Sequence, residues 1–252
     1  MDRGLFFFLI FMGFTSISEA RPAPSDPMQT IRNRMIRSQV VGRGIHNPKL
    51  IRAMKQVPRE QFVPKARQEF AYYDTPIPIG FGQTVANPYL VAFLTDSAKI
   101  KPTDHVLNVG TGSGYHVAVL GKLAQKVFTI EIVPQLAQSA QKVFQKLGYQ
   151  NIISKTGDGY AGWKGNAPFD VIILSAAPDH IPRPLIEQLR VGGRLIMPVA
   201  KDPMRKTQEL VRITRTSKGY RREALKPISL HPIAPVMQGQ RATRSQPKLP
   251  QS

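Results

Sequence analysis

The stretch that most constrains this chain is His105 to Tyr115, reading HVLNVGTGSGY. A short apolar run ending at Val109 meets glycines at alternate positions, Gly110, Gly112 and Gly114. A helical pattern follows at once through Val117, Ala118, Leu120 and Leu123. In a strand, glycine turn and helix the backbone bends sharply and approaches a ligand closely. The start of the helix also aims unpaired N–H groups at that ligand. The spacing is not the G-x-G-x-x-G of nicotinamide and flavin enzymes, and no Lys-Ser or Lys-Thr follows as in a phosphate loop. Thr111 stands where a hydrolase elbow needs its first glycine.

Strands and helices alternate from Val106 onward. Lys126–Ile132, Asn151–Thr156, Phe169–Leu174 and Arg194–Val199 read as strands. Pro134–Leu147 reads as a helix stopped by Gly148, and Pro184–Arg190 as a short helix ended by Gly192-Gly193. The run FDVIIL (169–174) is nearly all apolar, as in a strand buried on both faces. Gln208–Thr216 and Tyr220–Ile228 then follow one another as strands, which predicts a terminal hairpin. The expected fold is α/β: a Rossmann-like open, mostly parallel sheet with helices on both faces and an antiparallel C-terminal edge. Its ligand belongs beyond the carboxyl ends of the strands.

Ahead of this unit, Met28–Val41 has helical spacing and Asn47-Pro48 is a helix start, a cap followed by proline. Glu60–Pro64 and Glu69–Asp74 read as turns or short helices. Thr75–Asn87 (TPIPIGFGQTVAN) reads as a loop, and Pro88 opens another helix. One domain over 28–237 with an N-terminal helical cap is the expected organisation. Residues 1–20 look like a signal peptide, with Arg3, an apolar run from Leu5 to Phe14 and small residues Ser18 and Ala20 near the cleavage point. A Pro-rich leader (21–27) follows, and 238–252 is expected to be a basic, disordered tail. The expectation is therefore export if the signal is used, cytoplasmic residence otherwise, and no membrane span once it is removed.

The chain has no cysteine, so disulfides, thiolate metal sites and a thiol nucleophile are excluded. Its five histidines show no metal-ligand spacing. The net charge is +19, and residues 201–252 hold 12 Lys and Arg against 3 Asp and Glu. The excess thus lies towards the C terminus, away from the glycine turn, with Tyr220 the one aromatic there. That distribution argues against a nucleic-acid partner. The chain is expected to be a monomer.

Glu131 ends the second strand about 20 residues after Gly110, where an acidic side chain accepts hydrogen bonds from a ribose diol. Asp158, between two glycines at the end of the third strand, is placed to accept from an exocyclic amine of adenine. A nucleoside without phosphate-binding equipment points to S-adenosylmethionine as cofactor. Methyl transfer needs alignment and exclusion of water more than strong acid–base groups.

These residues carry a family resemblance. VPREQFVP (57–64), AYYDTPIPIGFGQTVANPYLVAFL (71–94), VLNVGTGSGYHVAVL (106–120), GDGYAGW (157–163), APFDVIILSAAPDHIP (167–182) and LIEQLRVGGRLIMPV (185–199) resemble the protein-L-isoaspartate O-methyltransferase family. The glycine motif is shared by many methyltransferases, whereas the PIPIG…GQT loop is particular to this family. The resemblance implies methylation of the α-carboxyl of L-isoaspartyl residues in damaged proteins or peptides. The ester then closes to a succinimide, whose hydrolysis returns some normal aspartate. It also implies that Glu131 binds the ribose, Asp158 and Gly159 the adenine region, and Gly110, Thr111, Gly112 and Gly114 the methionine end. The loop Gly82–Asn87 would close over both ligands, and Pro232–Gly239 resembles a diverged C-terminal segment near the site.

Two positions depart from the family pattern. The loop's usual T-I-S is Thr84-Val85-Ala86, so the serine hydroxyl of the catalytic loop is missing, and Thr84 is expected on the opposite side of an extended segment. The first-strand acidic residue is Asn108, which keeps an acceptor for the cofactor's ammonium end but loses its charge. A weakened or repurposed relative remains the alternative. It would bind cofactor or isoaspartyl peptide, or methylate another substrate such as RNA.

Overall fold

The computed structural model describes residues 26–175, 181–202 and 207–225. The expected signal, most of the leader, the basic tail and the 232–239 segment lie outside them. Helix α1 (Gln29–Met35) runs on into a π-helical turn, Ile36–Val40, and the expected single helix ends with Gly44 in the left-handed region at φ +89°. Helix α2 (Pro48–Gln56) starts where Asn47-Pro48 predicts. The Asn47 side chain accepts from the N–H groups of Lys49 and Leu50 and donates to Asp96 Oδ1 at 2.9 Å. Short 3₁₀ turns follow at Arg59–Phe62 and Lys65–Phe70, as the compact aromatic segments suggest.

The segment 75–87 is not the irregular loop expected. Strands β1 (Ile77–Gly80) and β2 (Gln83–Val85) pair antiparallel, with Ile77 opposite Val85 and Gly80 opposite Gln83. Phe81 and Gly82 form the two-residue turn, both at positive φ, which matches the twist of the flanking strands. Two prolines and two glycines disguise the pairing, but Pro78 is tolerated because a two-stranded ribbon consists of edges. Helix α3 (Pro88–Ala98) follows, capped by Asn87, which accepts from Leu90 N at 2.8 Å.

The main sheet has seven strands. They are β3 (His105–Val109), β4 (Lys126–Glu131), β5 (Ile152–Thr156), β6 (Phe169–Leu174), β7 (Leu189–Asp202), β8 (Thr207–Thr216) and β9 (Gly219–Ala224), in the order β5-β4-β3-β6-β7-β8-β9. The first five run parallel and the last two antiparallel. Helices α4 (Tyr115–Gly121), α5 (Pro134–Lys146) and α6 (Arg183–Glu187) supply crossovers. Chain order reverses direction between β3 and β6, so a crevice opens at their carboxyl ends. Gly192 and Gly193 do not stop a helix, as the sequence suggested. They lie in the irregular start of β7, where Phe169 pairs with Leu189 and Val171 with Arg194. A Cβ on Gly193 would stand 2.9 Å from Arg190 O.

The central strands are mostly apolar because both faces are covered. Val106, Val127, Val171 and Ile196 pack on the side of α1 to α5, and Leu107, Phe128, Ile172 and Leu195 pack on the side of α6. The cap is pinned by a buried polar knot. Arg32 donates to Tyr72 Oη at 3.0 Å and to Lys55 O at 3.2 Å, and Tyr72 donates to Glu60. Strand β9 is exposed along its length and carries Arg221, Arg222 and Glu223, charges that discourage further strand pairing at the sheet edge. No helix among the described residues is long and apolar enough to cross a membrane.

Candidate active site

The crevice at the β3–β6 switch point is a cleft of about 970 Å³, open solvent at its mouth included. The glycine turn and Glu131 form one wall, Asp158 and Gly159 one end, and the hairpin strand β2 with α3 the facing side. Of the expected site residues, Thr84, Ala86, Gly110, Thr111, Gly112, Glu131, Asp158 and Gly159 line it. Asn108 and Gly114 do not.

The turn holds its shape through backbone and side-chain bonds. Gly110 and Gly112 have φ of +92° and +53°, a region an L-residue enters only at a cost. Gly110 N donates to Ile130 O at 2.9 Å, which ties the turn to β4. The two threonine hydroxyls, Thr111 Oγ1 and Thr129 Oγ1, meet at 2.6 Å beneath it. Glu131 is buried, and its carboxylate spans the gap between turn and strand. Oε2 accepts from Gly112 N at 2.7 Å and Oε1 from Val133 N at 3.0 Å. A carboxylate offers about four acceptor sites, so two remain for a ligand diol. Asp158 uses Oδ1 to accept from Tyr160 N at 2.9 Å, a short-turn cap that leaves Oδ2 for a ligand amine.

Asn108 is fully buried under the turn and outside the cleft wall. Nδ2 donates to Gly110 O at 3.0 Å and to Thr129 Oγ1 at 3.3 Å, and Oδ1 accepts from Ser175 Oγ at 3.0 Å. Every contact uses the amide as an amide, and a carboxylate there would have no hydrogen to give Gly110 O. The expected weakening of an ammonium contact therefore gives way to a positioning role, in which Asn108 braces the glycine turn. Gly114 is likewise structural. A Cβ there would stand 2.8 Å from the Phe144 ring, at a φ of +91°. Thr84, in β2, and Ala86, just past its end, both line the cleft, so Thr84 is within the site although the sequence reading put it on the opposite side.

Gly159 packs its backbone against Val109 so closely that a Cβ would lie 2.2 Å from Val109 Cγ1. Gly159→Ala is expected to cost about 1–3 kcal/mol of stability by overpacking. Adding Val109→Ala should recover part of that loss in a double-mutant cycle measured by urea unfolding. Strictly additive losses would refute this packing account.

Three residues that sequence reasoning left unassigned belong to the site. Ser175, at the end of β6, lines the cleft and braces Asn108. His116, in the first turn of α4, is buried and also lines the cleft. Thr95 Oγ1 donates to Val91 O at 2.7 Å and so accepts from His116 Nε2 at 3.0 Å, which assigns the proton to Nε2. Burial holds the imidazole pKa down at about 4, so the ring is neutral in the cleft. Its position beside apolar Tyr115 and Val117 on one helix was the available clue. Arg59 is wholly buried and reaches from the cap to the hairpin end. Nε donates to Ala71 O at 2.6 Å and Nη2 to Ala86 O at 2.7 Å, while its guanidinium lies 4.5 Å from the Tyr115 ring centroid. Burial lowers its pKa from the ordinary arginine value, and Nη1 has no hydrogen-bond partner among the described residues. Nothing in the local sequence signals this reach, because Ala71 and Ala86 lie 12 and 27 residues away.

The same architecture recurs among known proteins. The family model described as protein-L-isoaspartate(D-aspartate) O-methyltransferase matches residues 30–230. The chain belongs to this family. A protein-L-isoaspartate O-methyltransferase of Picosynechococcus sp. is 50% identical over 175 residues, 69% of this chain and 79% of the relative. One from a Synechococcus sp. is 40% identical over 225 residues, 88% of this chain and 92% of its own length. A solved family structure from Plasmodium falciparum, in complex with S-adenosyl-L-homocysteine, superposes with a TM-score of 0.69 at 23% identity. The match covers 80% of this chain and 97% of that one. The cleft of this family member is thus built on the family's common fold. The two departures read in the sequence lie at different depths in it, Ala86 in the wall and Asn108 beneath the turn.

Proposed function

We propose that this protein transfers a methyl group from S-adenosylmethionine to the α-carboxyl of L-isoaspartyl residues in damaged proteins. The observation that carries this reading is the convergence, in one cleft, of the Gly110–Gly112 turn, the Glu131 carboxylate and the β1–β2 hairpin. The residues present fit that cofactor. Glu131 has acceptor capacity left for a ribose diol, Asp158 Oδ2 for the adenine amine, and the Cβ-free turn admits the methionine end. When bound, S-adenosylmethionine supplies a sulfonium methyl group, and transfer leaves a methyl ester on the substrate. An isoaspartyl carboxylate is ionised at neutral pH, so no general base is required of the chain. The protein's part is alignment and dryness. Leu90, Val91 and Leu94 of α3 make the facing wall apolar, and the hairpin covers the turn. Arg59 fixes the hairpin end by holding Ala86 O.

The decisive assay is transfer of labelled methyl to an isoaspartyl peptide against its normal aspartyl twin, with the label released by base as an ester requires. Equal labelling of the two peptides, or base-stable label in RNA, would refute the reading.

A second reading, a weakened or repurposed relative, rests on Ala86, which lines the cleft without a hydroxyl. If a hydroxyl there orients the substrate carboxylate, Ala86→Ser should raise kcat/KM about tenfold, the effect of one modest site hydrogen bond. An unchanged rate would mean that Thr84, which also lines the cleft, already serves.

A further inference from the structure

The turn joining β1 to β2 has Phe81 and Gly82 at its two central positions, with φ of +54° and +68°. Such a turn favours Asn, Asp or Gly at the first of them, because a bulky L-residue crowds its own backbone there. Phe81 is none of these, and the residue is 52% exposed. It belongs to neither hydrophobic cluster of the protein. One residue thus combines a disfavoured backbone with wet apolar surface, and neither hydrophobic cluster among the described residues takes it in. Strain that the fold does not need marks a functional position.

Its placement says which function. Gln83, Thr84 and Val85 of β2 form part of the cleft wall. On the other strand, Ile79 Cδ1 lies over the glycine turn, 3.8 Å from where a Gly112 Cβ would be. Phe81 is two residues from Gln83, at most about 7 Å along the chain, which puts its backbone beside the rim of the cleft. A peptide presenting its isoaspartyl carboxylate to the cleft must cross that rim.

We propose that Phe81 is a specificity-determining residue whose ring receives an apolar side chain flanking the isoaspartyl residue of the bound peptide. The proposal rests on the function given above. A ring carried on a two-residue turn offers a large contact area with few rotamers to freeze. The main chain on either side is fixed by the β1–β2 pairing, so contact with substrate costs the hairpin little reordering.

The test compares two isoaspartyl peptides, alike except that the residues flanking the isoaspartyl are leucine in one and glycine in the other. Phe81→Asn, the residue this turn prefers, should raise KM for the leucine peptide about tenfold, as losing roughly 50 Å² of apolar contact would. KM for the glycine peptide should stay within about twofold, and kcat and calorimetric affinity for S-adenosylhomocysteine should not change. The melting temperature should hold or rise, because asparagine tolerates the left-handed region. Phe81→Tyr should restore the preference for leucine. Equal rises for both peptides would make Phe81 a stiffener of the hairpin and overturn the proposal, as would no rise at all. If the unmodified protein methylates neither peptide, the function falls and this proposal with it. Activity on both with Phe81→Asn unaffected sinks Phe81 alone.

Discussion

Glu131→Gln is expected to weaken binding of S-adenosylmethionine or S-adenosylhomocysteine about a hundredfold. The carboxylate accepts two backbone N–H groups, from Gly112 at 2.7 Å and Val133 at 3.0 Å, one on each oxygen. A glutamine has one oxygen and one NH₂. Whichever way the amide turns, its NH₂ faces a backbone donor, and one of the two N–H groups loses its acceptor. The substitution therefore disturbs the glycine turn as well as removing charge-assisted acceptors for the ribose. A hydrogen bond to a charged group contributes about 1.5–3 kcal/mol, so losing one and weakening its neighbour comes to about 3 kcal/mol, two powers of ten in Kd. Titration calorimetry with S-adenosylhomocysteine measures the affinity, and a thermal melt without ligand reports the damage to the turn. A loss below threefold would mean that the ribose does not rest on Glu131.

Acid should destabilise this protein through His116 before the carboxylates titrate. Burial lowers the folded-state pKa from 6.5 to about 4. The unfolded chain then binds more protons than the folded one between those values, so stability falls as pH drops through that window. Below about 4 both states are protonated at this site and the loss is complete. The shift corresponds to roughly 3 kcal/mol at this one position. His116→Gln keeps a donor for Thr95 Oγ1 but has nothing to protonate. Urea unfolding at pH 7 and at pH 4.5 should show the variant losing clearly less stability than the parent. Parallel losses would show that His116 does not carry the effect. The same burial leaves a neutral ring in the cleft wall, so Glu131 and Asp158 supply the ionisable carboxylates there.

Much of the site could be read along the chain because it lies in short, contiguous signals. HVLNVGTGSGY specifies a strand, a turn that only glycines fit and a helix start, and these need neighbours no more than ten residues apart. Glu131 and Asp158 sit at strand ends in a repeating βα pattern, so their side of the sheet follows from topology. The hairpin at 77–85 was hidden because pairing outweighs the breaker signals of Pro76, Pro78 and Gly80. The register of a two-stranded ribbon is not written in local propensity.

By itself, then, the sequence determined the α/β class and a ligand site beyond the carboxyl ends of the strands, which rest on periodicity and spacing, and it pointed to the family through the resemblance of whole segments. The tertiary structure alone decided what the polar groups do. Asn108 turned from a ligand contact into a brace because Gly110, Thr129 of β4 and Ser175, just past β6, converge on it. Thr95 set the tautomer of His116 across 21 residues, and Arg59 reached Ala86 across 27. The physical reason is common to all three. A buried polar group takes its role from whichever donors and acceptors the fold brings within about 3 Å, and those come from distant parts of the chain.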